Sequence, residues 1–257
     1  LLSLRWNRIS VNLLNIRSVQ SMTAHPVSIF QAIIKGVTHS VGIQETPHMF
    51  FHMKDRRHTF KMRKSEGISI EIFFFGNRLE FIEKWIRAFR AYLSDPITGK
   101  NFEIINMSGI EERCLNNITS EKDFTNIKEE ICLEFMTPFP FRTEKDRHRT
   151  YISKADFIKS FEKRFSRLFG KEILYNSNED RFSILPYYWS YTELRHPSVS
   201  QHGHTQYING CIGNLYVKGD FKDFLPFLIL GSELHAGTKL SNSQGYYRLH
   251  NESLSFF

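Results

Sequence analysis

The sequence contains few cysteines and no pair of them at close spacing. Three occur among 257 residues, at Cys114, Cys132 and Cys211. A disulfide framework needs an even number of cysteines, and structural zinc sites use closely spaced pairs. A cluster of histidines at His196, His202 and His204 lacks the Cys or carboxylate that would complete a familiar zinc spacing. We therefore expect reduced, structural thiols, no metal site and no cofactor.

Long hydrophobic runs and several hydrolase motifs are also missing. No apolar segment reaches the roughly 18 to 20 residues that a membrane-spanning helix needs. The opening LLSLRWNRIS lacks the long apolar region of a secretory signal. We therefore expect a cytoplasmic protein with no membrane partner. The sequence contains no Walker loop, no G-x-S-x-G elbow and no H-E-x-x-H helix, which disfavours the hydrolase classes that depend on these motifs.

Acidic residues are outnumbered by basic ones. Lys and Arg together number 34 against 27 Asp and Glu, a formal net charge of +7. Excess positive charge speeds the encounter with polyanions, so nucleic acid is the first candidate partner. Hydrophobic content of 41% and charged content of 24% are ordinary for a globular protein.

Two clusters of cations stand out, one in each half of the chain. Such clusters can follow a phosphate backbone without reading its sequence, although each by itself is equally compatible with an ordinary solvated surface. Two of them together favour RNA or DNA binding. The candidate RNA-binding cations are Lys54, Arg56, Arg57, Lys61 and Arg63 in the first cluster, and Arg142, Lys145, Arg147 and Arg149 in the second.

The first half of the sequence alternates between strand and helix patterns in a regular order. Near-alternation of apolar and polar positions predicts strands, and apolar residues three or four apart predict helices. The predicted elements are strand 8–18, helix 26–41, strands 49–64 and 67–76, helix 77–93 and strand 101–107. Their order is the β-α-β-β-α-β plan of a ferredoxin-like domain.

The second half repeats this plan with an irregular middle. Residues 129–137 predict a strand and 154–170 an amphipathic helix. The polar stretch 171–200 is interpreted as an inserted connection, and 204–219 as two strands that turn near Asn209 and Gly210. A helix beginning near Pro226 and a short strand at 245–250 complete the unit.

The predicted fold is therefore α+β, with two tandem ferredoxin-like (RRM-like) β-α-β-β-α-β domains whose sheets are antiparallel. The predicted domains are 1–112 and 128–257, and the polar stretch 109–127 is the predicted linker. Two copies of this fold would place a cleft between their sheets.

Residues 220–249 contain an apolar helix pattern followed by a loop from Gly231 to Gly245 that is mostly small, polar or basic. His235 and Lys239 lie between its glycines. Glycine lets backbone N–H groups approach a phosphate closely, which favours an anion-binding loop. Taken alone, the loop is better explained as a surface connection between a helix and an edge strand.

Three segments of this sequence resemble the CRISPR precursor-RNA processing endoribonucleases of the RAMP superfamily. The segments are GISIEIFFFGNRLEFIEKWIRAFRAYL, then LEFMTPFPFR with the following helix that ends in KRFSRLFG, and finally NGCIGNLYVKGDFKDFLPFLILGSELHAGTKLSNSQGYYRL. The resemblance implies a glycine-rich loop beside bound RNA, formed here by Gly231, His235, Gly237, Lys239 and Gly245. Where related sequences often have a further glycine, this one has Ser243.

The resemblance also implies a reaction. In this family the 2′-hydroxyl of the substrate attacks the adjacent phosphate without a metal ion, leaving a 2′,3′-cyclic phosphate and a 5′-hydroxyl. The catalytic histidine of many members follows the first helix, which points to His39, with His48 and His52 as alternatives and Lys35 as a phosphate-stabilising group. Without the resemblance, His39 is better explained as a residue that favours the carbonyl end of its helix.

Three functions remain open from the sequence. The first is an endoribonuclease that cuts CRISPR repeat RNA, and the second is a non-catalytic RNA-binding RAMP subunit of a CRISPR effector complex. The third, a generic tandem RNA-recognition module, lacks its aromatic signature. The expected partner is repeat RNA, and the candidate protein partners are effector-complex proteins or a fused or adjacent integrase module.

Overall fold

The computed structural model describes residues 1–16, 26–40, 49–54, 64–95, 101–121, 129–141, 149–176, 181–197, 205–238 and 243–251. Within these ranges the chain forms two antiparallel sheets, each with helices packed on one face. None of the described helices is both long and apolar enough to cross a lipid bilayer.

The first unit has the predicted order of elements. These are β1 (Arg5–Asn15), α1 (Pro26–Ser40), β2 (Met49–Met53), β3 (Gly67–Phe74), α2 (Leu79–Ser94) and β4 (Phe102–Met107). The strand order β2-β3-β1-β4 is that of a ferredoxin-like sheet. In α2 the buried side chains are Ile82, Trp85, Phe89 and Leu93. Their spacing of three or four residues places them on the single face that covers the sheet.

The predicted linker contains regular structure. Strand β5 (Glu111–Cys114) pairs with the first residues of β1, and α3 (Leu115–Glu121) follows it directly. Arg113 of β5 is 1% exposed and donates to Glu233 Oε2 at 2.6 Å and to the carboxylate of Glu121. Because a buried charge needs a partner, these ion pairs hold β5 and α3 in a defined position between the two units.

The second unit consists of β6 (Glu130–Phe139), α4 (Lys154–Phe169), β7 (Arg181–Pro197), β8 (Thr205–Asp220), α5 (Leu225–Leu234) and β9 (Tyr247–His250). Its strand order, β7-β8-β6-β9, repeats that of the first sheet. Helix α4 begins at Ser153, whose hydroxyl accepts from the Asp156 N–H at 3.1 Å, and ends at Gly170 with a φ of +63°. The prediction of two tandem ferredoxin-like units is confirmed.

Two predictions about the second unit are wrong. The supposed insertion 171–200 contains the 17-residue strand β7, and the supposed strand pair 204–219 is one continuous strand, β8. Asn209 and Gly210 lie within that strand and pair with Glu193 and Thr192. The glycines of β8 resemble those of a turn in sequence, but in the structure they allow the β7 backbone to approach β8 closely. At Gly213 a Cβ would lie 2.1 Å from the carbonyl oxygen of Tyr188, where the register shifts by a β-bulge.

The first sheet is buried on both faces because the second unit packs against it. Phe51 and Met53 of β2 point into the core formed with α1 and α2. Since successive strand residues point to opposite faces, Phe50 and His52 lie on the other face. Phe50 stacks on Phe73 at a centroid distance of 4.5 Å and joins the core of the second unit. The face opposite α1 and α2 therefore meets the second unit through β2 and β3.

Candidate nucleic-acid interface

The last two turns of α1 carry two of the predicted catalytic residues. Lys35 and His39 are both exposed and lie four residues apart, so they share one face of the helix. The opposite side of these turns is anchored, since Val37 is fully buried and the Trp85 indole N–H donates to Thr38 Oγ1 at 3.1 Å. The helix end is thus fixed on α2 while His39 faces solvent.

His52 occupies a different environment, inside the interface between the two units. It is 3% exposed, and its ring lies 4.7 Å from that of His235 and 4.2 Å from that of Tyr246. Among the described residues, neither of its ring nitrogens has a hydrogen-bond partner. Burial, reinforced by the nearby charge of Lys54, lowers the pKa of His52 to about 3. His52 is therefore a neutral, enclosed side chain in this arrangement.

His235 follows α5 and is fully buried as well. Its backbone has a φ of +64°, and its Nδ1 lies 3.1 Å from the carbonyl oxygen of Gln244 across the loop. Burial, then the proximity of His52 and Arg164, places the pKa of His235 well below its ordinary value. Its described contacts brace the two ends of the loop against each other and against β2.

The glycines of the predicted loop differ in their structural roles. Gly231 lies within α5, where a Cβ would be 2.3 Å from the Tyr247 hydroxyl, so it permits close packing of the helix on β9 and is not part of the loop. Gly237 has a φ of +104° and lies against Pro140, while Gly245 has a φ of +73° and would place a Cβ 1.7 Å from the Ala236 carbonyl oxygen. The loop itself begins at His235.

The loop is held by contacts from β6 and α4. The Thr238 N–H donates to the carbonyl oxygen of Pro140 at 3.0 Å, and the Arg167 guanidinium donates to the carbonyl oxygen of Thr238 at 2.6 Å. Because Arg167 is exposed, one positive charge lies directly beside the loop. These contacts position the described ends of the loop next to the end of β6.

The predicted basic clusters are described only in part. Lys54 forms an ion pair with Glu71 at 2.8 Å, and Arg149 forms one with Glu193 at 2.5 Å. Both cations keep substantial exposure, with side-chain values of 50% and 65%. The remaining predicted site residues lie outside the described residues: His48, Arg56, Arg57, Lys61, Arg63, Arg142, Lys145, Arg147 and Lys239.

Arg164 belongs to this interface but was not identified from the sequence. Arg164 of α4 is fully buried, its guanidinium lies 4.6 Å from the centre of the Phe50 ring, and its Nε donates to the carbonyl oxygen of Leu234 at 2.9 Å. Burial lowers its pKa to about 9. A signal was present, because Arg164 interrupts the apolar stripe that runs through Phe161 and Leu168 of the same helix.

Comparison with known families gives one match in the second unit. Residues 133–247 match the sequence model of the CRISPR-associated endoribonuclease Cas6 family. The match begins in β6 and ends in β9, so it contains α4, α5, the long β7–β8 hairpin and the glycine loop. A comparison with curated proteins gave no match.

Solved structures share the fold across nearly the whole chain at low identity. Thermus thermophilus Cas6 is 10% identical with a TM-score of 0.58, covering 96% of this chain and 99% of its own. A Cas6-related protein of Pyrococcus furiosus is 15% identical with a TM-score of 0.55, covering 96% and 100%. A chain of a partial Cas6-RT-Cas1–Cas2 complex is 13% identical with a TM-score of 0.65, covering 98% of this chain and 47% of its own. The family match covers less than half of the chain, so the second unit is similar to the CRISPR-associated endoribonuclease Cas6 family, and the chain as a whole shares the fold of solved Cas6 structures.

Proposed function

We propose that this chain binds CRISPR repeat RNA and cleaves the precursor transcript without a metal ion. The substrate's own 2′-hydroxyl attacks the neighbouring phosphate, and the products carry a 2′,3′-cyclic phosphate and a 5′-hydroxyl. The observation that carries this proposal is the position of His39. It is exposed at a helix end packed on α2, in a chain whose second unit matches an endoribonuclease family model, whereas His52 is enclosed.

The reaction needs a base for the 2′-hydroxyl, an acid for the departing 5′-oxygen and positive charge beside the phosphate. An imidazole can both accept and donate a proton in the physiological range, so His39 suits either proton transfer. Lys35, one helical turn away on the same face, supplies the charge. His48 follows this helix in the chain and remains a second candidate for the other proton transfer.

The RNA is held, in this proposal, by the loop that starts at His235 and by the cations around it. Gly237 and Gly245 keep the loop close to β6, and Arg167 adds a charge beside Thr238. The predicted contacts from Lys239 and the two basic clusters extend this surface. Phosphate contacts of this kind set the position of the RNA and make binding salt-dependent.

A second candidate function is RNA binding without cleavage. It is favoured by the burial of His52 and His235, which removes two candidate histidines from direct contact with a substrate in this arrangement. A structure described as a RAMP protein binding different RNA substrates also shares the fold, with a TM-score of 0.50. In this alternative the chain would be a non-catalytic, RNA-binding subunit of a CRISPR effector complex.

We also propose a protein partner. The structural similarity to one chain of a partial Cas6-RT-Cas1–Cas2 complex covers 98% of this chain. An integrase module, fused or encoded nearby, is therefore a candidate partner alongside effector-complex proteins. Co-purification with the integrase proteins of the same genome would test this.

Cleavage of a labelled repeat RNA from the source genome in EDTA tests the main proposal. We expect cutting at one position with a cyclic-phosphate end, and a loss of about 10²- to 10⁴-fold in rate for His39→Ala with little change in RNA affinity. His250→Ala, which removes a histidine on the far sheet edge, is the matched control. Full activity of the His39→Ala protein would remove His39 from the mechanism. Cutting of RNA with a 2′-deoxy group at the cleaved nucleotide would exclude the proposed nucleophile.

A further inference from the structure

A polar pocket of about 330 Å³ lies where β6 ends beside the outer half of the β7–β8 hairpin. Pairing between β6 and β8 ends at Phe139 and Cys211, and the hairpin continues past this point. The pocket is at the small end of the range for small-ligand sites, a size that suits one nucleobase. The lining includes Pro140, Arg149, Tyr191, Glu193, Asn209 and Gly210.

Three polar side chains converge in this pocket from one face of the hairpin. Glu193 pairs directly with Asn209, and Tyr191 precedes Glu193 by two residues, so all three point to the same side. The Tyr191 hydroxyl donates to Glu193 Oε1 at 2.9 Å and accepts from Asn209 Nδ2 at 3.1 Å. Burial, followed by the bond to Glu193, raises the pKa of Tyr191. The carboxylate of Glu193 is thus oriented while its side chain stays 40% exposed.

Arg149 covers this group from the β6 side. Its guanidinium lies 2.5 Å from Glu193 Oε1 and 5.0 Å from the centre of the Tyr191 ring, while 65% of its side chain remains exposed. The carbonyl oxygen of Arg149 accepts from the buried Cys211 thiol at 3.6 Å, which fixes the backbone there. A guanidinium is planar, so one that lies over an aromatic ring and stays largely exposed offers a surface on which a base can stack.

The backbone closes one side of the pocket, and the glycine loop adjoins it. At Gly210 a Cβ would lie 2.5 Å from the Phe139 carbonyl oxygen, so only a residue without a side chain allows this approach. Pro140 contributes to the pocket and also accepts the Thr238 N–H of the loop. RNA that follows the loop would therefore pass the mouth of the pocket.

We infer that this pocket binds one unpaired base that carries an amino group on its hydrogen-bonding edge, and that it disfavours uracil. This inference rests on the proposed function in requiring an RNA ligand, and it does not require cleavage. A carboxylate only accepts hydrogen bonds, so Glu193 attracts the amino groups of cytosine, adenine or guanine. Uracil has no amino group on that edge, and its single N3–H donor is flanked by two carbonyl oxygens whose lone pairs repel the carboxylate. Asn209 supplies a neighbouring amide, and Arg149 supplies the stacking surface.

Fluorescence anisotropy with labelled ten-nucleotide oligo(C), oligo(A) and oligo(U) RNAs at one salt concentration tests the inference. The His39→Ala chain is used throughout so that cutting does not interfere. We expect oligo(C) or oligo(A) to bind about 5- to 100-fold more tightly than oligo(U), the range for one good base-edge contact. Adding Glu193→Gln should bring this ratio close to one, because an amide can also donate to uracil.

Two further variants separate base recognition from general charge effects. Glu83→Gln removes a negative charge from an exposed position on α2 and should leave the ratio unchanged. Arg149→Ala should weaken binding to all three RNAs. The inference would be overturned if the His39→Ala chain bound the three RNAs with equal affinity. It would also be overturned if a folded chain that also carries Glu193→Gln kept the same ratio of affinities between oligo(C) or oligo(A) and oligo(U). The proposed function fails on a separate result, the absence of cutting of repeat RNA by the unaltered chain.

Discussion

The Ser243 hydroxyl donates a 2.7 Å hydrogen bond to the main-chain carbonyl oxygen of Phe51, 192 residues earlier in the chain. Ser243 has a φ of +51°, a backbone conformation that glycine adopts more easily. Its own carbonyl oxygen accepts from Thr137 Oγ1 of β6 at 3.0 Å. One serine thus ties the glycine loop both to β2 of the first unit and to β6 of the second.

Replacing Ser243 should separate two contributions to the free energy of unfolding: the hydrogen bond to Phe51 and the strain of the positive φ at residue 243. Ser243→Gly loses the hydrogen bond, about 1 kcal/mol, but relaxes the positive φ. Ser243→Ala loses the same bond and retains the strain, so we expect it to be less stable than Ser243→Gly by about 1 kcal/mol. Free energies of unfolding in urea measure both. A Ser243→Gly protein less stable than Ser243→Ala would contradict the assigned role.

Two glycines with similar backbones offer a matched test of close packing. Gly245 has a φ of +73° and a Cβ there would meet the Ala236 carbonyl oxygen, whereas Gly76 has a φ of +68° with nothing within 4 Å. Gly76→Ala should cost only the backbone strain, about 1 kcal/mol. Gly245→Ala should cost clearly more and weaken RNA binding by displacing the loop. Similar unfolding free energies for the two variants would show that Gly245 is not sterically required.

His52 makes the stability of the fold depend on pH. Its pKa of about 3 in the folded chain lies below the 6.5 of an unperturbed histidine, so the unfolded chain takes up the proton first as the pH falls. The contribution of neutral His52 is complete above about pH 6.5 and is lost as the pH falls towards 3. Between pH 7 and pH 5 the loss should be about 2 kcal/mol.

The His52→Phe variant provides the comparison for this effect. A phenyl ring keeps the packing against Tyr246 and His235 but takes up no proton. We expect the drop in unfolding free energy between pH 7 and pH 5 to be smaller in the variant by about 2 kcal/mol. His235, whose pKa is also lowered, leaves a residual drop in both proteins. Equal drops would show that His52 is accessible to protons in the folded chain.

Lys35 should contribute charge to the reaction without transferring a proton. Lys35→Ala should slow cleavage of repeat RNA by about 10-fold or more and lower the salt dependence of binding by close to one phosphate contact. Lys35→Arg should restore most of the rate. The exposed Lys84 of α2 serves as the control for a general loss of charge. If Lys84→Ala and Lys35→Ala slow cleavage equally, Lys35 has no specific role.

Helices α1, α2, α4 and α5 and the order of the elements in the first unit were predictable because each rests on local patterns. The apolar spacing of α2 and the Ser153 cap of α4 are legible in a short window of sequence. The β7–β8 hairpin was not predictable in this way. The glycines at 210 and 213 have the composition of a turn, and only the strand opposite them shows that they permit close backbone contact.

The burial of the first sheet on both faces is indicated in the sequence by adjacent apolar residues in its strands. In β2, Phe50 and Phe51 are apolar neighbours that must point to opposite faces, and β3 ends in a similar run at Phe73 and Phe74. Strands buried on both sides read as continuous apolar runs. The pattern indicates that the second face is covered, but it does not identify the second unit as the part of the chain that covers it.

By itself, the sequence determined the fold class, the tandem repeat of one plan and the resemblance to a family of RNA-processing enzymes, because periodicity and motifs are local properties. Only the tertiary structure decided the environments of His39 and His52. His39 is exposed because the far side of its helix packs on α2, and His52 is enclosed because a loop some 190 residues later in the chain folds over β2. Burial of that kind depends on contacts between distant segments, which no short stretch of sequence contains.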